Sequence, residues 1–251
     1  MRTIVATYWR LAAKAILLRD APYEEMRDAE RSFLRGLLLI LVISLSVALV
    51  AIVGEALQWA TSPNPDDIQQ VVWEGMTEMP WYAELERIGE TEILEAIKQQ
   101  YDTVWQIIKF FAPTPWGGVP GLIIKPLGAL VVWLVYGLLA YLFAKLLGGD
   151  GTLGQTYGCL ALAISPQLVN LLDIFPYVNT QGVAAIWAWV CGFIALKTAH
   201  RISGGRAFWA AVLPVIVMGL FFFLLLALLI AIIGAVVPNL LQWLTEVGGL
   251  Q

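Results

Sequence analysis

The sequence predicts an all-α membrane protein, a polytopic bundle of about five transmembrane helices, from three observations. Of its 251 residues, 59% are hydrophobic and only 14% are charged, whereas a soluble domain carries about a quarter charged residues. Five apolar stretches approach or exceed the length needed to cross a bilayer. Basic and acidic clusters alternate between these stretches, as expected when successive loops lie on opposite sides of a membrane.

The segment before the first apolar stretch, residues 1–32, is charged and amphipathic. Within it, residues 3–18 carry apolar side chains at helical spacing, with Arg10 and Lys14 between them. This pattern fits a helix lying in the membrane interface, and it fits equally a cytoplasmic helix that packs on its own protein. We expect no cleavable signal peptide, because the first long apolar run follows this charged segment.

The first transmembrane helix is expected at residues 33–57, which carry no charge from 36 to 54. The other four are expected within 121–237, at about 121–147, 155–172, 183–199 and 207–237. Pro214 near the start of the fifth predicts a tilt or kink there. A short tail, 238–251, is expected on the outer side.

The 58–120 segment between the first two spans is acidic, rich in tryptophan and long for a simple loop. We predict a turn at 62–66, a helix over about 82–111 and a break in the Pro- and Gly-rich run 113–118. Segments of this length often serve docking, and tryptophan suits the membrane–water boundary. The candidate docking residues are Trp73, Trp81, Trp105 and Trp116.

The charge distribution predicts the orientation. Residues 1–35 hold seven basic and five acidic side chains, while residues 55–120 hold three basic and eleven acidic ones. The loop after the fourth span carries Lys197, Arg201 and Arg206 and no acid. The positive-inside rule therefore predicts a cytoplasmic N-terminus, with the 58–120 segment and the C-terminus outside.

The third span is the most polar of the five. Polar groups in lipid are costly and usually face another helix or a cavity. We favour hydrogen bonds and close packing between helices, and the alternative is a substrate or ion path. The candidate packing residues are Gly154, Gly158, Ser165, Pro166, Gln167 and Asn170.

Two features near the predicted cytoplasmic face suggest chemistry and have simpler explanations. The glycine run 148–151 lacks the Gly-Lys-Ser/Thr ending of a phosphate-binding loop and reads as a tight turn. His200 lies among Lys197, Arg201 and Arg206, and all four are candidates for contact with lipid headgroups. The alternative role for His200 is that of an axial ligand to haem or chlorophyll.

No metal site, cofactor or catalytic residue is expected. Cys159 and Cys191 lie in apolar stretches and read as small buried hydrophobes. One histidine and two cysteines do not make an ordinary structural zinc site. No basic patch suggests nucleic-acid binding.

Three segments together resemble bacterial Yip1-domain proteins. They are LLRDAPYEE at 17–25, LGGDGTLGQT at 147–156 continuing to Pro166, and the run from 186 to Pro214 that contains IWAW and ISGGRA. The resemblance implies five spans and a cytoplasmic N-terminus, and it implies no settled activity. The sequence lacks the Asp-Leu-Tyr-Gly-Pro type of segment found before the first span of the eukaryotic relatives, so their role in vesicle traffic is not carried over.

The first functional hypothesis is a non-enzymatic membrane protein that organises partners or lipid, as an accessory or scaffold subunit of a larger complex. Its expected partners are the lipid bilayer and other membrane proteins or further copies of itself, and its expected place is the bacterial plasma membrane. The alternative is a transporter or channel component that uses the polar face of the third span, although no internal repeat supports it. A membrane enzyme would need a cluster of carboxylates or histidines, and the sequence has only scattered ones.

Overall fold

The computed structural model describes residues 2–114 and 116–248, with side chains from 6 to 114 and from 116 to 236. The described residues form helices and their connections, with no β-strand among them. The helices that precede and include the first span are α1 (Arg2–Ile16), α2 (Ala21–Arg27) and α3 (Ser32–Thr61).

The 58–120 segment contains three helices. They are α4 (Pro65–Thr77), α5 (Pro80–Ile88) and α6 (Thr91–Phe111). The prediction of one helix over 82–111 is wrong, because Gly89 interrupts it with φ of +80°. A left-handed glycine is a frequent helix terminator, and here the N–H of Gly89 bonds the carbonyl of Glu86 while the N–H of Glu90 bonds that of Leu85.

The remaining helices are α7 (Gly121–Leu146), α8 (Leu153–Ala161), a 3₁₀ helix (Leu162–Ile174), α9 (Gln181–His200) and α10 (Gly204–Gly248). The third predicted span is therefore an α-helix that tightens into a 3₁₀ helix, with Pro166 inside the 3₁₀ part. A 3₁₀ run of 13 residues is long, since most extend for three or four.

Five stretches of the described helices are long and apolar enough to cross a membrane. They are Ser32–Thr77, Gly121–Leu146, Leu153–Ile174, Gln181–His200 and Gly204–Val236. The predicted five-span helical bundle is thus confirmed. The first stretch runs through both α3 and α4, and α10 continues beyond the fifth.

The chain divides into two compact units. Unit 1 comprises residues 1–44, 126–168 and 182–251, and unit 2 comprises residues 45–125 and 169–181. The core of unit 1 contains many buried alanines, which let helix backbones approach closely. These alanines are Ala12, Ala15, Ala140, Ala144, Ala161, Ala195, Ala199, Ala207, Ala210 and Ala211.

Helix α1 packs on unit 1. Leu11 and Ala12 are buried in its core, the indole N–H of Trp187 donates to the carbonyl of Ile16 at 2.7 Å, and the thiol of Cys191 lies 3.6 Å from the carbonyl of Ala15. Of the two sequence alternatives for this segment, the structure favours a helix held by its own protein.

Helix α2 is short and deeply embedded. Tyr23 and Met26 are fully buried, and the thiol of Cys159 donates to the carbonyl of Tyr23 at 3.3 Å. Burial raises the pKa of the Tyr23 phenol well above its ordinary value of 10.0. Tyr23 therefore remains a neutral packing residue at physiological pH.

Candidate functional site

Gly158 lies where α8 crosses α3. A Cβ built on Gly158 would stand 1.8 Å from Ser32 Oγ, and one built on Gly36 would stand 3.0 Å from Ala161 Cβ. Ser32 is itself held by a hydrogen bond from its hydroxyl to the carbonyl of Met26 at 2.6 Å. Glycine at these positions allows a separation that any side chain would prevent.

Gly154 lies one turn earlier on α8 and has a different environment. A Cβ built there would meet no atom within 4 Å. The helix start beside it is fixed by a capping box, in which Thr152 Oγ1 accepts from the N–H of Gln155 at 3.3 Å and Gln155 Oε1 accepts from the N–H of Thr152 at 2.9 Å. Gly154 thus borders open space, while Gly158 lies in the tight contact with α3.

An aromatic cluster joins α3, α7 and α8. The rings of Phe33, Trp133 and Tyr157 lie with centroids 4.9–5.4 Å apart. The indole of Trp133 donates to the carbonyl of Tyr157 at 3.0 Å, and the phenol of Tyr157 donates to the carbonyl of Leu134 at 2.7 Å. Gly137 makes room for the Tyr157 ring, since a Cβ there would lie 2.4 Å from it.

The polar residues of the third span do not share one exposed face. Ser165 and Pro166 are buried, and the Ser165 hydroxyl has no hydrogen-bond partner among the described residues. Asn170 belongs to unit 2, where the hydroxyl of Thr180 lies 3.0 Å from Asn170 Oδ1 and 2.8 Å from Asp173 Oδ1. Gln167 is half-buried and has interactions of its own.

His200 is enclosed by the glycine turn between α7 and α8. Its side chain is 1% exposed, so it does not reach lipid headgroups as the sequence suggested. Its Nε2 lies 2.8 Å from Thr156 Oγ1, and that hydroxyl also bonds the carbonyl of Thr152 at 2.9 Å. A Cβ on Gly149 would stand 2.6 Å from the imidazole and one on Gly151 would stand 3.1 Å from it, so glycine at both positions leaves room for this ring.

The turn encloses the imidazole, which leaves a haem or chlorophyll no access to its nitrogens. Nδ1 has no hydrogen-bond partner among the described atoms, yet Gly149 and Gly151 lie against it. The N–H of Asp150 reaches the carbonyl of His200 at 3.3 Å. The turn after α7 and the end of α9 are thus at the same end of unit 1.

The three remaining basic candidates are exposed. They are Lys197, Arg201 and Arg206. Arg201 Nη1 lies 3.7 Å from a carboxylate oxygen of Asp150, and both side chains are solvent-accessible. An exposed pair of this kind contributes little to stability, which leaves these cations available to anionic groups.

The candidate tryptophans of the 58–120 segment divide into two kinds. Trp73 lies in the packing of α4–α6, with the Lys98 ammonium 4.2 Å above its ring and Tyr101 at 4.9 Å, and Trp105 is buried beside Tyr101. Trp81 and Trp116 are exposed. The first pair is therefore packed within the segment, and of the four candidates only the second pair is exposed.

Helices α4 and α6 are also joined by polar contacts. The Tyr101 hydroxyl donates to the carbonyl of Gln69 at 2.5 Å, and the Gln69 amide donates to Asp102 Oδ1 at 3.1 Å. Lys98 pairs with the same carboxylate at 2.9 Å, and Lys109 pairs with Asp66. The bonds of Tyr101 and Asp102 to Gln69, and of Lys109 to Asp66, therefore tie α4 to α6.

Sequence reasoning missed an outward apolar stripe on α6. The stripe consists of Val104, Ile107, Ile108 and Phe111, which are 52%, 56%, 44% and 78% exposed, and it lies beside the more buried Tyr101 and Trp105. Apolar residues at a spacing of three and four along α6 were the available signal.

Among the described side chains, no group of three or more His, Cys, Asp or Glu could hold a metal ion. The Arg27 guanidinium bonds the Asp28 carboxylate at 2.8 and 3.0 Å and lowers the pKa of that carboxyl below its usual 3.8.

Comparison with known proteins gives one family. The Yip1 domain matches residues 15–226, which include four of the five spans and most of the fifth. No curated protein and no solved structure matches the chain. The matched region also contains α2, the Gly158 crossing and the His200 turn. This chain is a multi-pass membrane protein and belongs to the Yip1 domain family.

Proposed function

We propose that this protein is a non-enzymatic scaffold or accessory subunit that holds another membrane protein through its 58–120 segment. In this proposal the N-terminus is cytoplasmic, the 58–120 segment lies outside, and the membrane is a bacterial plasma membrane. The observation that carries the proposal is the outward apolar stripe of α6, defined as Val104, Ile107, Ile108 and Phe111.

The stripe is exposed although aromatic side chains pack together within α4–α6. Trp73, Tyr101 and Trp105 form that packing, while Val104 and Ile107 remain more than half exposed. Contiguous exposed apolar surface on a helix commonly marks a binding site. An amphipathic helix with anchors at three- and four-residue spacing is a recurrent mode of protein recognition.

The position of the stripe indicates a membrane-bound partner. Phe111 precedes the start of the second span at Gly121 by ten residues, and ten residues of chain reach at most about 35 Å. The same segment carries ten acidic and three basic side chains. A partner with an apolar groove and a basic rim would match it in both respects.

Native mass spectrometry of the protein, purified in mild detergent from its own membrane, tests the proposal. Wild type is expected to carry another membrane protein at fixed stoichiometry. The triple variant Val104→Ser, Ile107→Ser, Ile108→Ser should lose it, because the partner's groove would have to dehydrate three hydroxyls. The matched control is Gln99→Ser, Gln100→Ser, Gln106→Ser, which alters exposed polar positions of the same helix.

Two results would overturn the scaffold proposal. One is a lone monomer or homo-oligomer of wild type without another protein. The other is retention of the same partner by the apolar triple variant. Loss of the partner in both triple variants would show that α6 had been disrupted as a whole, which circular dichroism of the two purified proteins would reveal as lost helix.

A second candidate function, a transporter or channel component, is favoured by the change from α-helix to 3₁₀ helix within the third span. A mid-helix 3₁₀ stretch often marks a hinge, and Pro166 within it contributes no N–H to the helix. Solute flux into proteoliposomes that disappears in Ser165→Ala would support it. Tight liposomes containing folded protein would exclude it for the solutes tested.

A further inference from the structure

We propose that unit 1 binds the headgroup of a zwitterionic phospholipid of the phosphoethanolamine type, in an open cleft between the α2–α3 connection and the start of α8. The cleft has a volume of about 550 Å³ and is lined by residues 27–33 together with Thr152, Gly154 and Gln155. Small-molecule sites in proteins are commonly about 300–1,000 Å³.

The cleft presents one available charge of each sign. Arg27 and Asp28 neutralise each other through their two hydrogen bonds, and the Arg27 side chain is only 16% exposed. Glu30 and Arg31 also line the cleft and are exposed, and neither forms a salt bridge within the described part of the chain.

A ligand with a phosphate and an ammonium group matches this pair. Arg31 would bind the phosphate through charge-assisted hydrogen bonds, while Glu30 would accept from the ammonium. A purely anionic headgroup would leave Glu30 facing negative charge. A choline headgroup would fit less well, because its quaternary nitrogen has no N–H to donate.

The height of the cleft in the membrane indicates a lipid. Ser32 and Leu153 begin two of the five membrane-spanning stretches, and both adjoin the cleft. Headgroups lie at this level, where spanning helices leave the hydrocarbon. The cleft is therefore exposed to the bilayer surface as well as to water.

Apolar surface continues from the cleft along α3. Phe33 lines the cleft and is 41% exposed, and Leu34, Leu38 and Leu41 follow it as one exposed stripe at four- and three-residue spacing. A phospholipid seated in the cleft can lay an acyl chain along this stripe. A soluble phosphate compound would make no use of it.

Gly154 gives a variant that fills the cleft without disturbing the fold. It lines the cleft, and a Cβ there meets no protein atom within 4 Å. Leucine at this position is also a better helix former than glycine. The matched control is Gly205→Leu, because Gly205 is likewise the second residue of its helix and likewise borders open space.

The experiment uses the full chain in nanodiscs that contain equal amounts of phosphatidylethanolamine, phosphatidylglycerol and phosphatidylcholine, analysed by native mass spectrometry. Wild type and Gly205→Leu should each leave the nanodisc with one phosphatidylethanolamine molecule still bound. Gly154→Leu should lower this retention about tenfold, the effect expected when at least one charged hydrogen bond is lost.

Charge variants separate the two halves of the headgroup. Arg31→Gln should lower retention of all three lipids, because it removes the phosphate contact. Glu30→Gln should lower the preference for phosphatidylethanolamine over phosphatidylglycerol about tenfold. Arg10→Gln changes an exposed charge outside the cleft and should alter neither value.

Three outcomes would overturn the inference. Equal retention of the three lipids by wild type would remove the headgroup selectivity. Retention that Gly154→Leu leaves unchanged would place the lipid elsewhere. Displacement of the lipid by an equal concentration of soluble phosphoethanolamine would make this a site for a soluble ligand. None of these depends on the partner protein proposed above.

Discussion

Ser32 Oγ occupies the space that a side chain on Gly158 would need, at 1.8 Å from the position of the missing Cβ. The serine cannot simply turn away, because its hydroxyl is bonded to the carbonyl of Met26 at 2.6 Å. This one contact therefore fixes the distance between α3 and α8 and also connects both to the end of α2.

Gly158→Ala should destabilise the protein by about 1–3 kcal/mol, the usual cost of forcing extra volume into a packed contact. Gly154→Ala should be neutral or stabilising by about 0.5–1 kcal/mol, because it adds a methyl group to open space in a helix. Denaturant unfolding of the two variants in the same detergent measures the difference. Equal stabilities would mean that α3 and α8 are not in contact at Gly158.

A compensating change sharpens this test. Ser32→Gly on its own removes the Met26 bond and should cost stability. Combined with Gly158→Ala, it vacates the space that the alanine needs, so the double variant should be more stable than the sum of the two single effects predicts. Strict additivity would count against direct contact, since distant sites normally add.

Thr156→Val should destabilise unit 1 by about 1–3 kcal/mol, because it leaves a buried imidazole nitrogen without its partner. A hydroxyl has one hydrogen, so donation to the carbonyl of Thr152 leaves Thr156 Oγ1 to accept from His200 Nε2. Thr156→Ser keeps the hydroxyl and should retain most of the stability. Thermal unfolding in detergent compares the two variants. Equal stability of Thr156→Val and Thr156→Ser would show that the hydrogen bond contributes nothing.

Trp73→Ala should open the three-helix packing of the 58–120 segment. The indole lies under the Lys98 ammonium and against Tyr101, so its loss removes both a cation–π contact and buried apolar area. Trypsin cleavage at Arg87 and Lys98 should become several-fold faster, since local opening controls access to helical sites. Trp116→Ala alters an exposed ring and is the control, for which an unchanged rate is expected.

Neither native thiol should react with a maleimide in the folded protein. Cys159 and Cys191 are fully buried and unpaired, and a buried structural cysteine is inert. Both should label after denaturation in SDS. Ser203→Cys, at an exposed position, supplies the positive control for the native state. Labelling of either native cysteine without denaturant would contradict the packing of α8 or α9.

Maleimide labelling of introduced cysteines also tests the proposed orientation. In cells that make Gln100→Cys, a membrane-impermeant maleimide should label the intact cell, because the positive-inside rule predicts that the 58–120 segment lies outside. Arg206→Cys should label only after permeabilisation. Both positions are exposed, so accessibility within the protein does not limit either reaction. The opposite pattern would reverse the topology.

The sequence by itself determined the number of spans, the all-α class and the family. Each spanning helix needs about 20 apolar residues and satisfies its own backbone hydrogen bonds, so hydropathy along the chain suffices to find it. The Yip1 resemblance rested on the order of short segments, and the family match over 15–226 agrees with it. The break at Gly89 could also have been found, since glycine after a helical stretch is a stop signal.

Only the tertiary structure decided which glycines, tryptophans and basic residues face a neighbour. Gly154 and Gly158 lie one turn apart and read alike in the sequence, yet one borders open space and the other fills a contact. In the sequence His200 resembles the cations beside it, yet in the structure it is buried. Hydropathy describes a segment without its neighbours, whereas these properties depend on how each helix is rotated against the next and how closely the two approach.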